Sequence, residues 1–390
     1  MKRTRDFAIL ILLFTFFACS SDDPAATPQE EETFYFGADL SYVNQILDHG
    51  GVYKENNVVK DPYQIFRDNG LNLLRVRLWH NPTWTNDPYG EDTPLYSDLK
   101  DVERTLTRAK ALGLQVLLDF HYSDTWADPS KQYVPAAWGA ITSIEDLRDS
   151  VYNYTFSTLQ YLKRKGLQPE LVQIGNEINC GLFFSETPKG FPSCNVCNGA
   201  WSAAGEVLNA GIRAVRDLSK TSDLKTKVIL HVADPANVEY WFDKIKSQGQ
   251  VTDFDMIGFS YYPLWHTTVP LEDISIKVSG FKAKYGKDII ILETDYPWTT
   301  ANADSYANQF GDATPLTGFP FTEQGQLDLM VKLTKEVKQG GGIGVIPWEP
   351  ADITSNMKDE WGTGSSFDNC AYFNFAGNKI KGMDYMKADY

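Results

Sequence analysis

The chain has 390 residues, 43% of them apolar, and 36 Lys and Arg stand against 51 Asp and Glu for a formal charge of −15. That length and apolar share allow a large buried core, and the acidic balance excludes nucleic acid and anionic membrane surfaces as partners, because phosphate binding needs a basic patch. Ten Trp and twenty Tyr mostly belong in such a core, but they also suit a neutral ligand that stacks on a ring and hydrogen-bonds at its edge.

At the N-terminus, Lys2, Arg3 and Arg5 precede an apolar stretch from Phe7 to Ala18. It is too short to span a bilayer and right for a secretory signal, here residues 1–18. The pair Ala18-Cys19 resembles a bacterial lipoprotein box, which implies lipidation at Cys19; an ordinary signal peptide with an incidental cysteine is the alternative. Residues 19–33 are polar, acidic and Pro-containing, the composition of a flexible tether. The acids directly after Cys19 resemble the surface-export signal of lipoproteins of the Bacteroidetes. That implies an exported bacterial protein on the cell surface or outer membrane, held to the membrane only through its lipid. A monomer is expected.

From residue 34 onward, short apolar runs alternate with helical patterns. The strand-like runs are "FYFGADLS" (34–41), "LNLLRVRLW" (71–79), "LQVLLDFHY" (114–122), "LVQIGNE" (171–177), "KVILHVA" (227–233), "FDMIGFSYY" (254–262), "DIIILET" (288–294) and "GIGVIPWEP" (342–350). Between them, Leu99, Val102, Leu106, Ala109 and Leu112 recur at helical spacing, as do Ile144, Leu147, Val151, Tyr154, Thr158 and Tyr161. Gly70, Gly113, Gly166 and Gly286 stand where a left-handed helix C-cap is expected. Eight apolar strands alternating with helices imply a parallel sheet covered on both faces. With no linker dividing residues 34–390, the fold class expected is α/β, a single-domain (β/α)8 TIM barrel.

In such a barrel the functional groups stand at the C-terminal strand ends. The polar residues found there are Asp39 and Ser41; Arg75 and Arg77; Asp119, His121, Ser123 and Asp124; Asn176 and Glu177; His231; Ser260, Tyr261 and Tyr262; Glu293; Trp348 and Glu349. Burying so many is costly unless they are paired or used. Glu177 ends the fourth strand and Glu293 the seventh, which face each other across the barrel mouth. Two carboxylates flanking a cleft are the apparatus of glycoside hydrolysis, one protonated and one ionised at the same pH. Arg75 and Arg77 are two apart on one strand and so point the same way, into the barrel, where they bring positive charge beside a carboxylate. A structural salt-bridge network is the other use of these arginines.

Four cysteines remain after Cys19: Cys180, Cys194, Cys197 and Cys370. In an exported chain they permit three disulfide pairings, among which sequence cannot choose. A zinc site is the competing use, since Cys194-x-x-Cys197 has ligand-like spacing but the other two do not complete it regularly.

The Asn-Glu pair on strand four with Glu on strand seven resembles glycosidase clan A. The finer resemblance is to glycoside hydrolase family 53, the arabinogalactan endo-β-1,4-galactanases. It is carried by "FGADLSYV" (36–43), "LRVRLWHNP" (74–82), "LLDFHYSDTWADPSKQ" (117–132), "QIGNEI" (173–178), "IGFSYYPLWH" (257–266), "LETDYPWT" (292–299) and "PWEPA" (347–351). The resemblance implies a retaining endo-galactanase acting on β-1,4-galactan and its oligosaccharides. Glu177 would be the acid/base and Glu293 the nucleophile. Asn176 would meet the 2-hydroxyl of the cleaved sugar, Arg75 and Tyr262 would orient the nucleophile, and Trp348 would floor the cleavage point. His121, Asp124 and Trp126 would line glycone subsites, with Asp39 among the substrate-binding strand ends. Another clan A endo-β-glycanase, or a glycan-binding lipoprotein without catalysis, is the alternative reading. Asp295 adds a carboxylate beside the nucleophile, and the cysteine-rich loop after strand four departs from the family pattern. The mechanism requires no cofactor and no metal. A structural calcium at Asp352, Asp359, Asp368 and Asn369 is a lesser expectation, since their spacing is irregular.

Overall fold

Each of the eight apolar runs contains a strand: β1 (Tyr35–Asp39), β2 (Leu73–Leu78), β3 (Gln115–Phe120), β4 (Leu171–Ile174), β5 (Lys227–Ala233), β6 (Met256–Ser260), β7 (Asp288–Glu293) and β8 (Gly344–Val345). They are joined in parallel, in chain order, and β8 closes on β1 to make a barrel. The computed structural model describes residues 33–390. The expected signal segment, Cys19 and the expected tether up to residue 32 lie outside the described residues.

The helices are α1 (Val43–Asp48), α2 (Pro62–Asp68), α3 (Leu99–Ala111), α4 (Ile144–Arg164), α5 (Trp201–Lys220), α6 (Pro235–Ser247), α7 (Ile274–Tyr285) and α8 (Glu323–Gln339). In α3, Val102, Leu106 and Ala109 are buried, the three- and four-residue steps of one helix face. Its N-cap, Asp98, accepts from the N–H groups of Lys100 and Asp101. Ser143 caps α4 by accepting from Asp146 N, and replacing such a cap by Ala costs about 1 kcal/mol. Gly113, after α3, has φ of 69°, a left-handed turn that lets the chain reverse into β3.

The β1–β2 connection contains two short helices rather than one. After β8 no α-helix follows among the described residues. Instead a 3₁₀ segment, Lys381–Lys387, packs its buried Gly382, Met383, Tyr385 and Met386 against α8. Gly382 meets α8 so closely that a Cβ there would stand 1.9 Å from Gln326 Oε1. The eighth unit is thus closed by a tighter element than the seven before it.

The barrel interior changes character along the strands. Leu73, Leu117, Leu171, Ile229, Met256, Ile290 and Leu292 form one apolar cluster at its base. Two residues further along, the period-two alternation brings Arg75, Asp119, Gln173 and His231 to the same inward face, all buried. One layer higher come Arg77, His121 and Ser260. The apolar base fixes the strands, while the upper layers are polar and must find partners within the barrel.

Candidate active site

A cleft of about 610 Å³ opens at the C-terminal ends of the strands. Asp39, Arg75, His121, Trp126, Asn176, Glu177, Tyr262, Glu293 and Trp348 all line it. Asp124 alone among the expected site residues stands outside. Its carboxylate accepts from Asn81 N at 2.9 Å and Ala136 N at 2.7 Å, with His80 Nδ1 3.6 Å away. It therefore ties two loops together through backbone donors.

Glu177 and Glu293 converge. Together with His231 they offer side-chain atoms that all lie within 4.8 Å of one another. Glu177 follows a turn in which Gly175 has φ of 81°, where a Cβ would strike Ile178 Cγ2 at 2.6 Å. Glu177 itself has φ of 45°, a left-handed conformation that non-glycine residues adopt at a cost of about 1–3 kcal/mol and that recurs at functional sites. The turn aims its side chain over the barrel centre. On the opposite wall, Glu293 is the last residue of β7.

The two acids have different partners. Glu293 Oε1 lies 2.9 Å from Arg75 Nη1, and its Oε2 accepts from the Tyr262 hydroxyl at 3.1 Å. Arg75 is buried and also meets Asp39 at 2.9 Å, Asp119 at 2.7 Å and Asn176 Oδ1 at 2.8 Å. Among the described residues no arginine meets the Glu177 carboxylate; Ser260 Oγ donates to its Oε1 at 2.5 Å. Burial pushes both carboxyls up. For Glu177 the nearby Glu293 charge adds to burial, and the Ser260 hydrogen bond only partly opposes them, so its pKa stands well above the ordinary value. For Glu293 burial is offset by Arg75, which leaves it at about 7. The arrangement holds one acid as a proton donor and favours ionisation of the other.

The remaining expected residues divide by what their polar atoms do. Asn176 donates through Nδ2 to Ala127 O at 2.8 Å, and Arg75 holds its Oδ1, so its orientation is fixed. His121 accepts from Trp79 Nε1 through Nδ1 and reaches Asp119 through Nε2, leaving its ring, not its nitrogens, to face the cleft. Trp126 and Trp348 are 5.9 Å apart between ring centroids. Arg77 pairs with Glu349 and lies between rings, 4.1 Å from the Tyr42 centroid and 4.5 Å from that of Trp126. It thereby braces the aromatic wall, the structural use of the second arginine.

Sequence reasoning left His231 and Ser260 as polar strand ends without a role, and overlooked Gln173. It also did not single out Trp265 and Trp361, which line the cleft and are 49% and 53% exposed. Their loops have no periodic pattern, and only the folded barrel brings them to the rim.

Of the cysteines, Cys180 and Cys197 form a disulfide, while Cys194 and Cys370 are buried thiols. Among the described residues the one cluster of three or more His, Cys, Asp or Glu with ligand-like spacing is Glu177, His231 and Glu293. The Cys194-x-x-Cys197 spacing thus belongs half to a disulfide. Asp368 accepts from Asn308, Ala303 and Thr354, and Asp359 from Tyr306, Trp361 and Gly362.

Comparison with known proteins fits this geometry. Residues 35–386 match the sequence model of Glycosyl hydrolase family 53. The chain is 42% identical over 361 residues to an arabinogalactan endo-beta-1,4-galactanase of Cellvibrio japonicus, covering 92% of this chain and 91% of that protein. It is 31% identical to an endo-beta-1,4-galactanase of Bacillus subtilis, covering 90% and 84%. Among solved structures, a family 53 catalytic domain of Ignisphaera aggregans superimposes with a TM-score of 0.79 at 31% identity, covering 92% of this chain and 97% of that one. With its two glutamates on the fourth and seventh strands of a closed barrel, the chain belongs to glycosyl hydrolase family 53.

Proposed function

We infer that the protein is a retaining endo-β-1,4-galactanase that cleaves internal bonds of pectic galactan and type I arabinogalactan. One observation carries the mechanism: the carboxylates of Glu177 and Glu293 approach within 4.8 Å. Retaining glycosidases hold their carboxyls about 5–5.5 Å apart, whereas inverting ones leave space for a water between them. Glu293 attacks the anomeric carbon while Glu177 protonates the departing glycosidic oxygen. Water then enters, gives its proton to Glu177, and releases the sugar from Glu293. Arg75 and Tyr262 keep Glu293 ionised and aimed; Trp348 floors the reacting sugar and Asn176 meets its 2-hydroxyl. The names of the family relatives support galactan over mannan, xylan or glucan, and the paired glutamates speak against a purely binding lipoprotein.

Incubation with galactan, mannan and xylan, followed by sizing of the products, tests the reading. Release of short galacto-oligosaccharides from galactan alone is expected; cleavage of another β-glycan with galactan untouched would overturn the substrate while leaving the chemistry. All the groups used are side chains, so activity is expected to persist in a chelator. For the whole chain, the Ala18-Cys19 pair and the acidic stretch after it support a lipid anchor at Cys19 and display on the cell surface. Metabolic labelling with a radioactive fatty acid, lost in Cys19→Ala, tests the anchor.

A further inference from the structure

We propose that Ser260, held by His231, is a positioning residue that clamps one oxygen of Glu177 and so reserves the other for proton exchange with the substrate. The proposal deepens the reading above and rests on Glu177 being the acid/base.

The clamp arises from the register of the barrel. Between β6 and β7 the pairing slips, so that Phe259 opposes Ile291 but Ser260 opposes Glu293. The residue skipped is Leu292 on β7, while β6 keeps regular register with β5 as far as Ser260 opposite Ala233, so the slip sets Glu293 directly beside Ser260. Its hydroxyl is 2.5 Å from Glu177 Oε1 and 2.9 Å from His231 Nε2. Neither Ser260 nor His231 lines the cleft, and both have no exposed surface, so they reach substrate only through Glu177.

The surroundings choose the tautomer of His231. The backbone N–H of Glu177, which can only donate, points at its Nδ1 at 3.3 Å, and Gln173 Nε2 lies 3.0 Å away while sharing its two hydrogens with Gly175 O and Asn176 Oδ1. Gln173 is oriented by Arg75 Nε, which donates to its Oε1. Asn176 Oδ1 also approaches Nδ1, at 2.9 Å, but it already accepts from Arg75 and Gln173. Nδ1 is therefore the acceptor, and Nε2 carries the proton and donates to Ser260 Oγ. With that lone pair occupied, the serine hydrogen turns to Glu177 Oε1. Burial, with Arg75 and His121 adding to it, drives the imidazole well below its usual pKa, which keeps it a neutral donor.

A carboxylate on a freely turning last torsion would offer either oxygen. Clamped at Oε1, Glu177 presents Oε2. In the first step the Oε2 proton passes to the glycosidic oxygen as its bond to carbon breaks and Glu293 bonds to that carbon. In the second, Oε2 takes a proton from water as the water oxygen bonds to carbon and the Glu293 ester breaks. Ser260 donates to Oε1 throughout and binds the ionised form more strongly. It thus draws the Glu177 pKa down against the other groups that face it: Glu293 on β7, Asp128 in the loop after β3 and the Tyr262 hydroxyl after β6, with Arg75 on β2 acting in the same sense as Ser260.

The test is a carbon-13 NMR titration of the glutamate carboxyls, with the Glu177 signal identified by its loss in Glu177→Gln. Ser260→Ala is expected to raise the Glu177 pKa by about one unit, as loss of a charge-assisted hydrogen bond should. His231→Leu is expected to raise it in the same direction. The double variant should move it no further than Ser260→Ala alone, because His231 acts through the serine. Ser260→Cys, similar in size and a weaker donor, should give a smaller shift and serves if the alanine variant does not fold. Folded variants in which Glu177 titrates as in the wild type, or shifts that add, would overturn the clamp. The titration needs no substrate. A protein that titrates as expected yet leaves galactan uncut would defeat the functional reading and not this one.

Discussion

Arg75 lies 2.9 Å from Glu293, while the carboxylate of Glu177 takes its hydrogen bond from the neutral Ser260. The asymmetry assigns the roles. A guanidinium stabilises the ionised form of its neighbour, and a buried carboxyl without one holds its proton. Glu293, at about 7, loses its proton before Glu177, which burial and the Glu293 charge hold higher. The active form has Glu293 ionised and Glu177 protonated. The profile of kcat/KM against pH should therefore be a bell whose acid limb belongs to Glu293, near 7, and whose alkaline limb belongs to Glu177. A profile still flat two units below 7 would contradict the assignment.

Replacing Arg75 separates its charge from its geometry. Arg75→Lys keeps a cation but cannot reach Asp39, Asp119, Asn176 and Glu293 together from one ammonium. With that cation drawn away from Glu293 the carboxyl pKa rises, so the acid limb should move to higher pH and kcat should fall roughly 10²-fold or more. Removing the cation entirely, in Arg75→Met, leaves three buried carboxylates unpaired. Their hydrogen bonds from Ser41, His121 and Tyr262 remain, but the lost counter-charge should cost about 3–5 kcal/mol and be visible as a lower melting temperature.

The two glutamates should respond differently to amidation. Glu293→Gln should abolish turnover on every substrate by several orders of magnitude, since no other group can form the covalent ester. Glu177→Gln should lose about 10²–10⁴-fold on galactan, and less on an aryl galactoside whose leaving group needs no proton. Stability adds a second reading. The folded pKa of Glu177 lies above its unfolded value, so the native state keeps a proton that the unfolded chain releases. The stabilisation this carboxyl gives is complete below the unfolded value and is lost as pH rises toward the folded one. Glu177→Gln removes that dependence and should melt higher than the wild type at pH 8, with the gap narrowing toward pH 4. Equal melting temperatures at both pH values would contradict the burial cost assigned to this acid.

Much of this was legible in the chain because period-two alternation constrains it so strongly. Once β2 is a strand with Leu73 inside, Arg75 and Arg77 must be inside too, and a buried arginine demands carboxylates. The opposition of Glu177 and Glu293 follows equally from counting strands around the barrel. What escaped was set by irregularity. The slip between β6 and β7 that skips Leu292 and sets Glu293 opposite Ser260 has no local signature in "DIIILET". Asp124 stands in a motif rich in site residues, but its loop turns it toward Asn81 and Ala136. The cysteines were open for the same reason: pairing depends on loop paths, which residue pattern does not encode.

That pairing gives a further prediction about the acid/base itself. Cys180 stands three residues beyond Glu177 and is bridged to Cys197 across a sequence separation of 17. The enclosed loop folds back as a small hairpin, with Gly181 opposite Asn195 and Leu182 opposite Cys194, and Val196 N donates to Cys180 O. A loop of this size closed by a disulfide stabilises by about 3 kcal/mol through the unfolded chain. The double variant Cys180→Ser, Cys197→Ser should melt roughly 5 °C lower. Since the hairpin holds the chain just after the strained turn at Glu177, kcat should fall on warming at a lower temperature than global unfolding, while the Tyr262–Glu293 side stays intact. Alkylation checks the premise. Without reductant only Cys194 and Cys370 should react among the four, and only after unfolding, because both thiols are buried; labelling of all four under those conditions would show that the bridge is absent.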